Sequence, residues 1–488
     1  MRYDVVIIGS GLGGLVCGCL LAKAGRQVLV IERQARPGGC LQSYQRHGLS
    51  FDTGFHYVGG LAEGQRLHRV FSDLGLMRLP WQRLDVDAFD CVTIAGETFN
   101  FAQGYDHFVE VLAARFPHQR DALNRYVETL RQIDAVPLDS DALFRDYGVS
   151  AYDYLSSVFS DPLLVQVLAG ASMKQELRQS SLPLFSFAHS QSSFIQSSWR
   201  LRGDGGMVAD VLVNCIRQHG GEVRCRCEAD ELVERDGRIV AVGCTDGACY
   251  EGDTFISDIH PAQTLSLVKQ SACLKRLFRN RINGLENTSG MFTASLALKP
   301  GRLRYFNHNK FIYRYPDVWR TPVQTQPGEL PRIDRVMVSA RVPETDDSVA
   351  QLDLLTPMPV ALVQPWVDTR VGHRGERYER LKRHVADDCI RLAETVLPGL
   401  SGMVSECYTS TPLTWRDYTM TPDGSAYGIR KDCRNLVLSM LSPRTPVPNL
   451  LLTGQSLMLP GLEGVTMTAL MTCAELLGSS LIEQYTIK

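Results

Sequence analysis

Val5-Val6-Ile7-Ile8-Gly9-Ser10-Gly11-Leu12-Gly13-Gly14, continuing through Leu15–Gly25 to Val28-Leu29-Val30-Ile31-Glu32, is the stretch on which the fold turns. Tyr3–Ile8 is a short, β-branched apolar run and reads as a buried parallel strand. It stops at a glycine cluster, after which Leu15, Cys19 and Ala22 recur at helical spacing and Gly25 offers a C-terminal cap. Val28–Ile31 is a second apolar strand, closed by Glu32. This order sets Gly9, Gly11 and Gly14 at the strand-to-helix turn of a βαβ unit. Gly9 permits the tight turn, Gly11 the close approach of a pyrophosphate, and Gly14 the packing of helix on strand. A phosphate there meets the positive end of the helix. Glu32 stands where a carboxylate accepts hydrogen bonds from an adenosine ribose. The glycine spacing alone is weak evidence; the strand before it, the helix after it and the acid at the next strand end make it a dinucleotide site.

Beyond Glu32 the chain runs Pro37-Gly38-Gly39-Cys40 and then Phe51-Asp52-Thr53-Gly54-Phe55-His56-Tyr57-Val58-Gly59. An NAD-only unit has no need of this second glycine cluster. Glu32, Gly38-Gly39 and Phe51–Gly54 together resemble the FAD-binding start of the flavin amine oxidase and phytoene desaturase superfamily. Gly38-Gly39-Cys40 with Phe51–Gly59 is most similar to its all-trans-retinol 13,14-reductase (retinol saturase) and carotenoid isomerase branch, since amine oxidases usually carry arginine in place of Cys40. The resemblance implies FAD as cofactor, held here by Gly9, Gly11, Gly13, Gly14, Glu32, Arg33, Gly39 and Cys40, with His56 and Tyr57 beside the flavin. Plain core packing is the competing reading for His56 and Tyr57.

Two later segments return to the same site. A glycine-rich turn within Trp199–Met207 precedes an amphipathic helix carrying Met207, Val208, Val211, Leu212 and Ile216, which ends at Gly220-Gly221. Strands at Glu222–Cys227, Glu231–Glu234, Ile239–Thr245 and Thr254–Ser257 follow, joined by Asp-Gly turns, and read as a hairpin-rich β insert. The resemblance implies that Ala229 contacts adenine through its backbone. Near the C-terminus, Asn449–Thr453 reads as a strand, Gly454-Gln455 as a turn, Pro460–Gly464 as a loop and Val465–Leu477 as a helix. By the same resemblance, Gly454 and Gln455 meet the pyrophosphate and ribityl chain. Gly464, Val465 and Thr466 then present backbone amides to the pyrimidine side of the flavin. Gln455 can donate to a phosphate oxygen without adding a negative charge.

The expected fold class is therefore α/β: a Rossmann-type FAD-binding domain of the glutathione-reductase-like kind, interleaved with an α+β substrate domain. The FAD-binding domain is discontinuous, at 1–60, 197–262 and 440–488; residues 61–196 and 263–439 form the substrate-binding domain.

With 44% hydrophobic and 21% charged residues the chain is globular in composition, which sets aside disordered, collagen-like and coiled-coil readings. A formal net charge of −2 offers nothing to a polyanion, so no nucleic-acid partner is expected. No signal-peptide core and no run of membrane-spanning length is visible. The expected location is cytoplasmic, with peripheral contact at the inner face of a membrane left open. The fourteen cysteines are scattered without a C-x-x-C pair and read as reduced thiols, Cys17, Cys19, Cys225 and Cys227 serving as small core hydrophobes. No H-E-x-x-H or Cys/His cluster suggests a metal, and no Ser/His/Asp or paired-carboxylate signature suggests a hydrolase.

Aromatic residues concentrate in the inserts: Tyr152, Tyr154, Phe159, Phe185, Phe187, Phe194 and Trp199, then Phe292, Tyr305, Phe306, Phe311, Tyr313 and Tyr315. Each alone is by default core; collectively they suit a long apolar tunnel. Pro183–Phe187 and Leu155–Val167 are candidate surfaces for drawing an apolar substrate from a bilayer, an ordinary buried helix being the alternative. Thr414–Tyr418 and Gly424–Gly428 resemble the family's segment near the flavin.

The expected function is that of an FAD-dependent oxidoreductase acting on C=C bonds of a long apolar polyene, carotenoid- or retinoid-like, as saturase, desaturase or isomerase. His56, Tyr57 and Glu463 are the proton-donor candidates. A flavin amine oxidase and a non-catalytic prenyl-binding chaperone of the GDP-dissociation-inhibitor type are the alternatives. Cys40 and Gln455 count against the first; intact Glu32, Gly38-Gly39 and Gly454–Gly464 count against the second. Only one dinucleotide fingerprint is visible, so NAD(P)H, if it serves as reductant, visits transiently. Substrate identity and oligomeric state are not written in the sequence.

Overall fold

The computed structural model describes residues 2–136, 140, 147–321, 329–344 and 347–486. Strand β1 (Arg2–Ile8), helix α1 (Leu12–Lys23) and strand β2 (Val28–Glu32) form the βαβ unit. α1 starts ahead of its apolar periodicity because Gly14 lets the first turn sit on the strand: a Cβ there would lie 2.3 Å from the Gly9 carbonyl oxygen. At the other end Gly25, with φ +80°, follows the cap, its N–H donating to Ala22 O at 2.9 Å.

α1 is apolar on every side because it is buried on every side. It packs between α2 (Gly206–Gln218) and α3 (Gly461–Leu477). A Cβ on Gly18 would come within 2.9 Å of Ile216, so this glycine lets α2 approach. There Cys19 and Cys215 form a disulfide, with Cα atoms 5.7 Å apart. The expectation of uniformly reduced thiols is corrected at this pair. Its members are 196 residues apart, and no local spacing reveals that the two helices meet.

The first sheet has the strand order β3-β2-β1-β6-β5-β4, with β3 at Glu222–Cys225, β4 at Ala229–Arg235, β5 at Arg238–Cys244 and β6 at Cys249–Ser257; β7 (Leu450–Leu452) also pairs with β6. β6 runs parallel to β1 along one edge. Along its other edge the first half pairs antiparallel with β5 and the second half parallel with β7. The hairpins expected as an insert are thus continuous with the dinucleotide sheet. The C-terminal ends of β1, β2, β6 and β7 lie together, so Gly9, Glu32, Asp258 and Gly454 are brought to one edge, where open α/β sheets bind ligands.

A second seven-stranded sheet runs in the order Val404–Ser410, Gly290–Leu298, Gln351–Met358, Arg335–Ala340, Asn309–Tyr313, Asp90–Ile94, Glu97–Phe101. All its pairings are antiparallel except Asn309–Tyr313 with Asp90–Ile94. Gly290–Leu298 is buried at every residue. Phe292, Ala294 and Leu296 pack with Tyr378, Leu381 and Val385 of the helix Gly375–Ala393; Met291, on the opposite face, reaches the cavity described below.

Polar contacts tie the second sheet to the segments that follow the βαβ unit. Arg341 Nη2 pairs with Asp52 at 2.6 Å. Tyr57 donates to Asp90 at 3.0 Å, Asn309 donates to the other oxygen of Asp90 at 2.8 Å, and Arg200 donates to Asn309 at 2.7 Å.

Two expectations about the inserts are corrected. Leu184, Phe185 and Phe187, in the helix Leu184–Gln196, are at most 2% exposed, and Leu155, Leu164, Val165 and Val167 are buried as well. The apolar side chains just named are core, which is the buried-helix alternative. Phe159, Phe292, Phe311 and Tyr313 are also core. Among the described residues no helix is long and apolar enough to cross a membrane, and no group of acidic, histidine or cysteine side chains could hold a metal ion.

Candidate functional site

A cavity of about 270 Å³ opens at the C-terminal edge of the first sheet. Its wall joins Gly9, Gly11 and Gly13 of the turn to Glu32, Arg33, Gly39, Cys40, Ala229 and Gln455, and carries on through His56, Met291, Leu355, Trp415, Tyr427 and Val465. Three widely separated stretches of sequence therefore meet there, with the second sheet contributing Met291 and Leu355. None of the aromatics expected to form a tunnel is on this wall, whereas the segments Thr414–Tyr418 and Gly424–Gly428 do reach it. Its rings are Phe55, Trp415, Tyr418 and Tyr427 instead.

Glu32 is locked in place. Its Oε2 accepts from Ser10 N at 3.0 Å and Ser10 Oγ at 2.5 Å, and its Oε1 accepts from Gln34 N at 2.7 Å. Arg33 donates to Asp417 O at 2.8 Å and Tyr418 O at 3.1 Å, pinning the Thr414–Tyr418 segment over the turn. Burial, reinforced by Asp258, pushes the Cys40 thiol up to about 12, so it is a protonated wall group and not a nucleophile.

Of the remaining sequence-named residues, several stand behind the wall. Gly14 is used in helix-to-strand packing, and Gly454 lies against Asp258. Gly464 packs on Leu459, where a Cβ would meet its carbonyl oxygen at 2.5 Å. Thr466 is fully buried.

The three proton-donor candidates differ in setting. His56 is on the wall, with Nδ1 buried and unpartnered. Burial, then Lys174, Arg200 and Arg341, hold it far below the usual imidazole range, so it is neutral. Tyr57 turns away: it stacks on Phe194 at 4.3 Å, carries the Lys174 ammonium 4.5 Å from its ring centre and spends its hydroxyl on Asp90. Glu463 points towards Gly60 and Ser193. Burial first and Asp134 second raise its carboxyl.

Asp258 was not singled out from the sequence. It follows the last residue of β6, and its carboxyl oxygens lie 2.5 Å from where Cβ atoms would stand on Gly11, Gly13 and Gly454. The only sequence signal is an acid immediately after an apolar strand, a pattern shared with any strand-ending turn.

A family model described as an NAD(P)-binding Rossmann-like domain matches residues 7–74. The all-trans-retinol 13,14-reductase of Rattus norvegicus is 25% identical over 527 residues, covering 98% of this chain and 86% of that protein. The chloroplastic prolycopene isomerase 2 of an Oncidium hybrid cultivar is 24% identical over 473 residues, covering 88% of this chain and 75% of that one. The chain is a relative of the retinol reductases and prolycopene isomerases. In fold it is similar to an oxidoreductase from Methanosarcina mazei, with a TM-score of 0.66 at 16% identity over 96% of this chain and 99% of the other. It is also similar to a putrescine oxidase solved with putrescine bound, with a TM-score of 0.64 at 15% identity over 98% and 99% of the two chains. The Rossmann-type assignment read from Gly9–Glu32 agrees with both comparisons.

Proposed function

We propose that this chain is an FAD-dependent oxidoreductase acting on a carbon–carbon double bond of a long polyene; its relatives are by name a retinol 13,14-reductase and a prolycopene isomerase. The observation that carries this reading is one cavity wall made by the glycine turn, the anchored Glu32, Gly39-Cys40 and Gln455, roofed by the second sheet. The glycine turn lies on the cavity wall beside the N-terminus of α1, and Glu32 keeps an acceptor site for a ribose, so the residues present fit FAD. In this reading residues 1–60, 197–262 and 440–488 make up the cofactor domain.

FAD, when bound, supplies hydride transfer to or from the double bond. Gly9, Gly11 and the N-terminus of α1 receive the pyrophosphate, Glu32 the ribose and Ala229 the adenine. Met291, Leu355 and Trp415 exclude water from the reacting bond. His56, being neutral, orients the substrate and holds no stored proton. Glu463 keeps its proton to higher pH than an ordinary glutamate, but it faces Gly60 and Ser193 off the cavity wall, so it is not assigned as the proton source.

The substrate class follows from a second cavity. It measures about 40 Å³, shares Tyr427 with the first, and is lined by Lys174, Gln175, Glu176 and Ser186. Gln175 Oε1, Glu176 Oε2 and Ser186 Oγ are buried without partners. A hydrocarbon end would leave each unpaired, at about 1–3 kcal/mol apiece. A hydroxyl supplies a donor for one of the two pure acceptors and an oxygen for Lys174. This favours a polyene alcohol such as retinol over a hydrocarbon such as prolycopene.

The test is a panel of polyene alcohols, acids and hydrocarbons of matched length, offered anaerobically to the reduced, FAD-loaded protein and resolved by chromatography. Conversion confined to alcohols supports the reading; equal conversion of hydrocarbons removes the role of the second cavity. Oxidation of amines with peroxide release would return the amine oxidase alternative, which now rests on fold alone.

A further inference from the structure

Asp258 stands where the turn needs to be empty. Its N–H donates to Ile8 O at 2.8 Å, which holds it beside the glycine turn, and its carboxyl lies against Gly11, Gly13 and Gly454. The side chain faces the cavity of the glycine turn, yet Oδ2 is sealed from solvent and has no side-chain hydrogen-bond partner. The N–H groups of Gly11 and Gly14, at the start of α1, face the carboxyl. The acids that face it are Glu32, from the end of β2, and Cys40, which is a neutral thiol.

A pyrophosphate drawn to this turn brings negative charge. An ionised Asp258 would repel it and compete for the same N–H groups. A protonated Asp258 instead has an O–H to donate to a phosphate oxygen. Oδ2 is sealed against Gly11 and Gly14, whose N–H groups face the carboxyl, so the proton falls to the other oxygen, which lies against Gly13 and Gly454.

We propose that Asp258 holds the pyrophosphate of the dinucleotide as a proton-bearing hydrogen-bond donor, so that cofactor binding takes up one proton. The inference rests on the FAD reading above. Burial already raises the Asp258 carboxyl to about 7, with Glu32 adding to the effect against the Gly14 and Gly11 N–H groups. Below that pH the free protein carries the proton and affinity is flat; above it, each pH unit must weaken FAD binding about tenfold, by linkage.

The experiment is FAD titration of the FAD-free full-length protein from about pH 6 to about pH 9, a range in which no phosphate of the cofactor titrates. Flavin fluorescence reads the affinity. Calorimetry at about pH 8 in two buffers of different ionisation enthalpy counts protons. The wild type is expected to lose affinity about tenfold per unit above pH 7 and to take up one proton per FAD. Asp258→Asn, which offers a permanent N–H donor of the same shape, is expected to bind with the same affinity across the range and to take up none. Flat wild-type affinity with no proton uptake overturns the proposal, and this arm needs no variant. An identical slope in Asp258→Asn also overturns it, while FAD binding itself leaves the FAD reading standing. Absence of FAD binding at every pH overturns both.

Discussion

Replacing Glu32 by alanine isolates the adenosine end of the site. A carboxylate offers about four acceptor positions. In this structure Oε2 uses two on Ser10 and Oε1 uses one on Gln34, so a single position on Oε1 remains for a ribose hydroxyl. A hydrogen bond to a charged group contributes about 1.5–3 kcal/mol, and about 1.4 kcal/mol is a factor of ten. Glu32→Ala should therefore weaken FAD binding about 10- to 100-fold, and not by the larger factor that two ribose contacts would give. Glu32→Gln puts an NH₂ against the donors of Ser10 or Gln34 and should fall between alanine and wild type. Fluorescence titration of FAD-free protein gives the dissociation constants, and circular dichroism checks that each variant is folded. A folded Glu32→Ala protein binding FAD within about threefold of wild type would refute the reasoning, since a ribose contact of this kind cannot be worth so little.

Arg341→Ala should cost about 1–3 kcal/mol in urea unfolding, because the buried Asp52 carboxyl loses its guanidinium partner and keeps the Gly205 N–H; adding Asp52→Asn should recover much of that loss. Asp90 is raised from 3.8 to about 7 by burial. The folded chain thus keeps a proton that the unfolded chain has released across that window, and stability due to the group is lost as pH rises from about 4 to 7. The stability of Asp90→Asn relative to wild type should accordingly climb over that range and level off above it; a constant difference would contradict this. Alkylation of denatured, unreduced protein should label twelve of the fourteen cysteines, leaving Cys19 and Cys215, and Cys215→Ser should lower unfolding stability by about 2–5 kcal/mol. Lys174→Met should narrow the preference for a polyene alcohol over the matched hydrocarbon, read as the ratio of kcat/KM values.

The glycine turn was legible because its requirements are backbone requirements, which few residue types meet: Gly14 must have no Cβ, and only a few residues suit the place of Glu32. Ala229 and Gln455 were named through the family resemblance, and both lie on the cavity wall with the turn. The second sheet was not legible. Gly290–Leu298 is buried on both faces, so it lacks the alternation that marks a half-exposed strand. Phe185 and Phe187 look the same in sequence whether they line a tunnel or fill a core, and only packing decided for the core. The Cys19–Cys215 bond and the place of Asp258 depend on which elements lie side by side, which no local pattern records. Tyr57 and Glu463 were found by position along the chain, but the direction of a side chain depends on partners such as Asp90 and Ser193, which are supplied by other segments.

The most direct test of the central claim is polyene turnover in matched FAD-loaded and FAD-stripped samples of the same purified protein, anaerobically reduced and given all-trans-retinol. Conversion in the loaded sample, its absence in the stripped one and its return when FAD is added back are the predicted results. Equal conversion by the stripped protein, or none by a loaded and folded one across the polyene panel, would contradict the account.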